Sequence, residues 1–258
     1  MKLTHRLTTI AAAITTSAAA FTGTTALAQD EAPQPVVNFN TLSESPVVTN
    51  NGLSWDTPTP GMSIESSGMF CTASFFAADE DTNAPVMVTA GHCVQEAPFS
   101  WGNGINQRLG QASTYTSPDT PEAAPGLNDY AVVPLSLNQA NLSPRIADTY
   151  DVVMVLDPED LEEGMELCKF GMRTQETCGD YIGQDEDGYL RSAIYSKEGD
   201  SGSPVFVKLG GNQVALVGIL SANHGDSALM ASVPVSNILK HERLLLNGEY
   251  GYLPEDGL

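Results

Sequence analysis

The chain has 258 residues, of which 32 are acidic and 11 are basic, so its formal net charge at pH 7 is −21. Nucleic acids and anionic membranes are bound by clustered cations, and this charge balance argues against both kinds of partner. With 41% hydrophobic residues, the chain can bury a core as one large domain or as two small ones.

The N-terminal residues 1–28 have the pattern of a secretory signal peptide. Lys2 and Arg6 form a basic start, the stretch 7–28 carries no charge, and Ala26-Leu27-Ala28 offers a small-x-small cleavage site. A transmembrane anchor is the alternative, but threonines interrupt the apolar run. We therefore expect a secreted protein whose mature form is not attached to a membrane.

The next segment, 29–61, is rich in Pro, Asn, Thr and Ser and has little apolar periodicity, which indicates a propeptide or an N-terminal extension. Beyond it, short apolar runs rich in Val, Thr, Phe and Tyr are separated by Gly, Pro, Asn and Asp. This spacing favours an all-β barrel or sandwich. We place one β half at 62–140, a connection at 141–150, a second β half at 151–246 and a tail at 247–258.

One helix is predicted near the end of the second half. Ser236 is its expected N-cap, and Asn247-Gly248 its expected end. The apolar residues expected to share one face of this helix are Ile238, Leu239, Leu245 and Leu246.

Four cysteines lie in the exported part of the chain: Cys71, Cys93, Cys168 and Cys178. An even number in an oxidising compartment suggests two disulfides, for which three connectivities are possible. Pairing nearest neighbours gives one bridge in each half, and a loop of about twenty residues closed in this way contributes roughly 3 kcal/mol. Zinc is the alternative, but the sequence has no C-x-x-C and no closely spaced His pair, so we expect no metal.

The stretch "KEGDSGSPVF", 197–206, places Ser201 between an aspartate and small residues. A nucleophilic serine needs a base and a group that orients the base. His92 in "VTAGHC" follows a β run beside Cys93, whereas His5 belongs to the signal segment and His224 and His241 have polar surroundings. Asp129 in "NDYAVVPL" begins an apolar strand, where burial demands a hydrogen-bond partner such as an imidazole N–H.

The order His92, Asp129, Ser201, with the flanks "TAGHC", "NDYAVV" and "GDSGSP", resembles the chymotrypsin-like serine peptidases, and above all their secreted bacterial branch, which includes α-lytic protease. The Cys-containing loop "LCKFGMRTQETCG" is similar to one in that branch, and the resemblance covers 62–246. The G-x-S-x-G motif of α/β-hydrolases is not matched, because Ser203 stands at its final glycine.

The resemblance implies two antiparallel six-stranded β-barrels with a C-terminal helix, a cleft between the barrels, and no cofactor. It implies that Ser201 is the nucleophile, His92 the general base and Asp129 the group that orients it. The N–H groups of Gly199 and Ser201 would form an oxyanion hole. Asp200 would pair with Lys169, or alternatively with Arg173.

The resemblance also suggests substrate-binding residues. These are Tyr195 at the base of the specificity pocket, Glu198 at its rim, Ser221 beside Asp129, and Ala222 and Asn223 on the strand that pairs with substrate. Because no aspartate stands at the pocket base, trypsin-like cleavage is not expected. The predicted function is that of a secreted, monomeric serine endopeptidase acting on protein or peptide substrates. A non-catalytic binding module and an esterase are the alternatives on the same fold.

Overall fold

Short β-strands dominate the computed structural model, which describes residues 57–101, 107–118, 120, 123–136, 142–223 and 229–246. The predicted signal peptide, most of the N-terminal extension, the tail and His224 lie outside these ranges. The strands of the first half are β1 (Ser63–Ser66), β2 (Met69–Thr72), β3 (Phe75–Asp79), β4 (Pro85–Thr89), β5 (Phe99–Trp101), β6 (Gln107–Gly110), β7 (Thr114–Tyr115) and β8 (Ala131–Pro134). Those that follow are β9 (Arg145–Ile146), β10 (Tyr150–Val155), β11 (Glu166–Gly171), β12 (Gln175–Gln184), β13 (Leu190–Ser192), β14 (Pro204–Gly210), β15 (Gln213–Asn223), β16 (Met230–Pro234) and β17 (Leu244–Leu246), with helix α1 (Val235–Glu242) between the last two.

The first half consists of two sheets around one core. One sheet has the order β2-β1-β5-β6, and the other has the order β17-β3-β4-β8-β7. The N–H of Ser136, just beyond β8, donates to the Leu109 carbonyl on β6 at 3.2 Å and so joins the two sheets along one side. Side chains from both sheets, such as Ile64, Met87 and Trp101, pack together in the core between them.

The second half contains a closed barrel of six strands. Its order is β14-β11-β12-β13-β16-β15, and the pairing of β14 with β15 closes the ring. Strand β10 runs parallel to β15 on the outside, and β9, inside the predicted connection 141–150, pairs with β10. Leu167, Val205 and Leu220 are among the side chains that fill the barrel. The predicted double-barrel all-β fold with a C-terminal helix is thus confirmed.

A third apolar cluster lies between the halves and includes Val88 and Val132 from the first with Leu216 and Val233 from the second. Its side chains come from strands of both halves, so the apolar core is continuous across the junction. Burial of this surface stabilises the relative position of the two halves, and it is at such a junction that residues from distant parts of the chain can form one site.

The C-terminal helix is shorter than the sequence predicts. Helix α1 ends at Glu242, because Arg243 adopts a left-handed conformation (φ 54°) as its C-cap. Leu245 and Leu246, expected on the helix face, instead belong to β17, which pairs with Ala78 and Ala77 of β3.

The predicted N-cap is also wrong. Pro234 is the N-cap of α1, and Ser236 lies inside the helix and is fully buried. The error at the C-terminal end of the helix has a different origin, because three consecutive leucines, 244–246, fit a helical period and a strand equally well.

Both disulfides of the nearest-neighbour pairing are present, Cys71–Cys93 in the first half and Cys168–Cys178 in the second. Cys71 lies on β2, and Cys93 on the short 3-10 turn that follows β4. Cys168 and Cys178 face each other across the β11–β12 ladder. The first bridge therefore ties the residue after His92 to β2.

Candidate active site

His92 lies on the 3-10 turn Gly91–Cys93, directly after β4 and Ala90. The turn is pressed against neighbouring backbone, because a Cβ on Gly91 would come within 1.6 Å of the Thr116 carbonyl oxygen. Only glycine can occupy that position, and the Cys93 disulfide fixes the other side of His92. Its side chain is 32% exposed, so the imidazole is held in place but remains accessible.

Asp129 precedes β8 and is fully buried. Its Oδ1 accepts the backbone N–H of His92 at 2.8 Å, and its Oδ2 lies 2.8 Å from His92 Nδ1. The hydroxyl of Ser221 donates to the same Oδ2 at 2.5 Å. Since a carboxylate can only accept, Nδ1 must carry the proton, which leaves Nε2 of a neutral imidazole as a proton acceptor.

Ser201 lies on a tight turn that leads into β14. The N–H of Asp200 donates to the Lys197 carbonyl at 2.9 Å, and the N–H of Ser203 donates to the Asp200 carbonyl at 2.9 Å. Gly199 (φ +99°) and Gly202 (φ +85°) take conformations that side chains disfavour. The Ser201 side chain is partly exposed at this turn.

Two contacts connect the Ser201 turn to the His92 and Asp129 segments. A Cβ on Gly202 would lie 2.2 Å from Thr89 Oγ1 and 3.1 Å from the Ala90 nitrogen, so the residue after Ser201 rests on the segment leading into His92. The Gly202 N–H also donates to the Leu220 carbonyl at 2.7 Å, one residue before Ser221.

The hydrogen bonds in the described part of the chain do not include one between the Ser201 hydroxyl and the His92 imidazole. In enzymes without substrate such bonds are often long or poorly aligned, and they tighten when substrate binds. The backbone contacts above limit how far the two segments can lie apart.

The two N–H groups predicted to form an oxyanion hole have no acceptor among the described residues. The N–H groups of Asp200, Gly202 and Ser203 all donate to backbone carbonyls, whereas those of Gly199 and Ser201 do not. Two unused N–H groups, one from the serine itself and one from the residue two positions before it, can polarise a carbonyl that approaches the hydroxyl.

Asp200 is fully buried, and its carboxylate is surrounded by hydrogen-bond donors. One of its oxygens, Oδ1, accepts the N–H groups of Arg173 (2.8 Å) and Thr174 (3.0 Å). The other, Oδ2, accepts the Thr174 hydroxyl (2.6 Å) and the Lys197 N–H (3.0 Å). The Lys169 ammonium, also fully buried, lies 3.5 Å from Oδ2.

Lys169, rather than the Arg173 side chain, is therefore the cation next to Asp200, because Arg173 contributes its backbone N–H. Nζ of Lys169 also donates to the Thr174 hydroxyl and to the Gln175 carbonyl. Burial lowers the pKa of Lys169 from 10.5 to about 8, and the attraction of Asp200 offsets only part of that effect.

The predicted substrate-binding residues are distributed along the turn and β15. Tyr195 is partly buried, its carbonyl accepts the Thr177 hydroxyl at 2.7 Å, and the Lys197 ammonium lies 5.9 Å from its ring centroid. Glu198 and Ala222 are exposed, and Ser221 is buried against Asp129. In the ladder between β15 and β16, Asn223 pairs with Met230.

Two clusters of potential metal ligands occur within the described ranges, Cys71–His92–Cys93 and Glu166–Cys168–Cys178. Each contains a disulfide, whose sulfurs are not thiolates and do not act as metal ligands. His241 is exposed at the end of α1, in keeping with the polar surroundings expected for it.

Sequence reasoning missed two threonines. Thr174 donates to Asp200 and accepts from Lys169, and Thr72 contacts the Ser201 turn from β2. Thr174 lies in "LCKFGMRTQETCG", where the resemblance rests on the cysteines, the lysine and the glycines. Nothing in the sequence distinguishes Thr72 from any other strand threonine.

Comparison with solved structures shows the fold. The chain is similar to a glutamic acid-specific serine protease (TM-score 0.54, 23% identity, covering 72% of this chain and 98% of that one). It is also similar to Nocardiopsis protease (TM-score 0.53, 22% identity, covering 74% and 98%) and to the alpha-lytic protease homolog N4 (TM-score 0.52, 20% identity, covering 72% and 97%). The chain therefore has the fold of the bacterial chymotrypsin-like serine proteases, and the predicted resemblance is confirmed at the level of fold.

The sequence relatives are less informative about activity. Two uncharacterized proteins of Mycobacterium tuberculosis are 26% and 27% identical over 180 residues, covering 64% of this chain and 74% of each relative. No family model matches the chain. No helix in the described ranges has the length and apolar character needed to cross a membrane.

Proposed function

We propose that the protein is a secreted serine endopeptidase that cleaves peptide bonds through an acyl-enzyme. Ser201 Oγ attacks the substrate carbonyl, and His92 Nε2 takes the hydroxyl proton and then delivers it to the leaving amine. Asp129 keeps the imidazole in the tautomer that this transfer needs and stabilises the imidazolium. The N–H groups of Gly199 and Ser201 stabilise the oxyanion, and water then releases the acyl group.

One observation carries the proposal. A fully buried carboxylate, Asp129, accepts both the backbone N–H and the Nδ1–H of the same histidine, while that histidine side chain stays partly exposed. Burying a carboxylate is costly unless its lone pairs are satisfied. Here, the group that satisfies them is the one that would act as the base. A histidine serving only to fill a core would not need its second nitrogen left open.

Secretion, a monomeric state and independence of a cofactor belong to the same proposal. Two disulfides suit an oxidising compartment and stabilise the two halves separately. The large negative charge favours solubility and limits non-specific adhesion to acidic polymers. We propose that the mature protein acts as a monomer on protein or peptide substrates, without metal or cofactor.

The test uses the purified protein with its disulfides formed. It is treated with a fluorophosphonate probe and, separately, with a mixed peptide library. We expect the probe to label the protein and the library to be cleaved, and we expect Ser201→Ala to lower the cleavage rate by at least about 10⁴-fold and to abolish labelling. Ser113→Ala, which removes the hydroxyl of an exposed serine on the first half that donates to the Val132 carbonyl at 3.3 Å, should label and cleave like the parent protein.

The alternatives give different results in the same experiment. Probe labelling with ester turnover but no peptide cleavage would identify an esterase on this fold. Absence of labelling in the folded parent protein would contradict the proposal and favour a binding module. The cleaved peptides would also define the specificity of the pocket around Tyr195.

A further inference from the structure

Thr72, the last residue of β2, contacts both residues to which we assign the oxyanion N–H groups. Its hydroxyl donates to the Gly199 carbonyl at 2.9 Å, and its backbone N–H donates to the Ser201 carbonyl at 2.8 Å. Thr72 is fully buried, so water does not compete for these bonds. A strand of the first half therefore holds the nucleophile turn of the second half at two points.

The Thr72 hydroxyl also makes a bond on its acceptor side. It accepts the backbone N–H of Met172 at 3.0 Å. The next two residues, Arg173 and Thr174, donate their N–H groups to the Asp200 carboxylate. One hydroxyl thus joins the turn that carries Ser201 to the loop that surrounds Asp200, and it uses both its donor and its acceptor capacity to do so.

The Thr72 carbonyl completes this junction. It accepts the Thr89 hydroxyl at 2.8 Å, and Gly202 packs so closely there that a Cβ would lie 2.3 Å from the carbonyl oxygen. Strands β2 and β4 therefore form a fixed surface under the turn. On the far side of β2, Cys71 is bonded to Cys93, the residue after His92.

Gly199 is the position at which the turn most needs such a restraint. Its φ of +99° lies in a region that glycine can leave easily, since no Cβ limits rotation of the adjoining peptide planes. Holding the Gly199 carbonyl fixes the peptide plane that follows, and the Asp200 contacts fix the residue beyond it. The Asp200 N–H, in the same peptide plane, donates to the Lys197 carbonyl at 2.9 Å, so the plane is held at both of its polar groups. Without the Thr72 hydroxyl only the Lys197 contact would remain, and the plane could tilt about it and shift the neighbouring N–H groups out of alignment.

We propose that Thr72 is a positioning residue for the oxyanion hole, whose hydroxyl orients Gly199 so that the N–H groups of Gly199 and Ser201 converge on the developing oxyanion. This role rests on the proposed serine peptidase function. It assigns to the first half an indirect part in stabilising the oxyanion, through the orientation of Gly199, in addition to supplying His92 and Asp129.

The test follows the acylation burst with p-nitrophenyl acetate, which needs no knowledge of peptide specificity. The Ser201 oxygen bonds to the acetyl carbon, the ester C–O bond breaks, p-nitrophenolate leaves with the electron pair, and the serine proton passes to His92. The burst amplitude counts folded sites, and the burst rate reports stabilisation of the oxyanion at each site. A purely structural role for Thr72 would lower the amplitude and leave the rate unchanged.

Thr72→Val keeps the side-chain shape but lacks the hydroxyl. We expect it to slow the burst about 10- to 100-fold, which is no more than the effect of losing one whole oxyanion donor. Thr72→Ser keeps the hydroxyl and should restore the rate to within about threefold of the parent. The matched control is Thr59→Val, because Thr59 is a buried threonine whose hydroxyl donates to the Thr57 carbonyl at 3.0 Å. Its burst rate should equal that of the parent.

A parental burst rate in Thr72→Val would overturn the role of Thr72, even if the amplitude falls. If that variant folds poorly, Thr72→Ala is measured in the same way, since the rate per site does not depend on how much protein is folded. A parent protein that shows neither a burst nor fluorophosphonate labelling would instead remove the proposed function, and the role of Thr72 with it.

Discussion

Asp129 and Asp200 are both fully buried, but the donors around them differ. Asp129 takes a backbone N–H and a side-chain N–H from His92 and a hydroxyl from Ser221. Asp200 takes three backbone N–H groups and a threonine hydroxyl, and a buried ammonium lies beside it. One carboxylate thus faces a titratable ring that reaches solvent, and the other faces backbone N–H groups, a hydroxyl and a buried ammonium.

The difference separates two uses of the same residue type. A backbone N–H group can turn away from its acceptor only if the chain itself moves. The backbone N–H bonds to Asp200 therefore fix the shape of the loops beside Ser201. An imidazole can gain and lose a proton at its far nitrogen, so Asp129 can influence a reaction while its own surroundings stay fixed. We infer that Asp200 serves the architecture of the turn and Asp129 its chemistry, and substitutions of the two aspartates and of Lys169 test this assignment.

The largest effect is expected for Asp129→Asn. An amide in place of the carboxylate can donate to Nδ1, which favours the tautomer with the proton on Nε2, and that tautomer cannot accept the serine proton. We expect kcat to fall about 10⁴-fold with little change in the free energy of unfolding. Steady-state kinetics on a peptide selected from the library, together with a urea titration, measure both quantities.

The control for this substitution is Asn128→Asp, which places a new carboxylate one residue away without touching the contacts of Asp129. A loss of less than about tenfold in Asp129→Asn would show that the imidazole does not depend on this carboxylate for its tautomer. The inference that Asp129 serves the chemistry of the site would then be wrong.

The next effect concerns stability. Asp200→Ala leaves the Lys169 ammonium buried without its counter-charge, and breaking a buried pair in this way costs about 3–5 kcal/mol. Asp129→Ala leaves a partly exposed imidazole and a serine hydroxyl without their acceptor, and we expect a loss of about 1–3 kcal/mol. Urea unfolding of the two variants side by side gives the comparison.

Arg173→Gln serves as the reference for Asp200→Ala. The Arg173 contact with Asp200 is made by its backbone, so removing the guanidinium should change stability by no more than about 0.5 kcal/mol. Equal losses in Asp129→Ala and Asp200→Ala, or a large loss in Arg173→Gln, would contradict the assignment of Asp200 to the architecture of the turn.

Much of this arrangement was predictable from local patterns. Apolar runs rich in β-branched residues predicted the strands, and the flanks of His92, Asp129 and Ser201 predicted a double barrel. The pairing of Asp200 with Lys169 was expected from the resemblance, but the four hydrogen bonds that surround Asp200 were not, since three of them come from backbone N–H groups. A backbone donor is present at every residue except proline, so the sequence does not mark which ones a carboxylate will use.

The errors have a physical cause as well. The leucines 244–246 could lie on a helix face or in a strand, and the unpaired edge of β3 decided between them by offering a ladder of hydrogen bonds. Thr72 was overlooked for a related reason, because its importance comes from a turn 127 residues away. Contacts of that range depend on the closure of the whole fold and leave no local signal.

The smallest expected effect is a pH dependence from Lys169. Burial holds its pKa at about 8 in the folded protein, against 10.5 when it is exposed. Between these two pH values the unfolded chain binds more protons than the folded one, so the free energy of unfolding rises with pH. The contribution of this lysine to the free energy of unfolding is fully present above pH 10.5, where the lysine is neutral in both states, and is lost as the pH falls to about 8. Around pH 9 it should amount to roughly 1 kcal/mol per pH unit.

Lys169→Met isolates this contribution, because every other titrating group is common to both proteins. We expect urea titrations at pH 8, 9 and 10 to show a stability that rises more steeply with pH in the parent than in the variant. Equal slopes would mean that Lys169 keeps its proton throughout this range and that the attraction of Asp200 outweighs desolvation. Asp200 would then be stabilised mainly by its ion pair with Lys169. The inference that backbone N–H groups are its main support, in contrast to Asp129, would be wrong. A steeper parent slope would instead leave those backbone N–H groups as the main support of the buried carboxylate once the lysine is neutral.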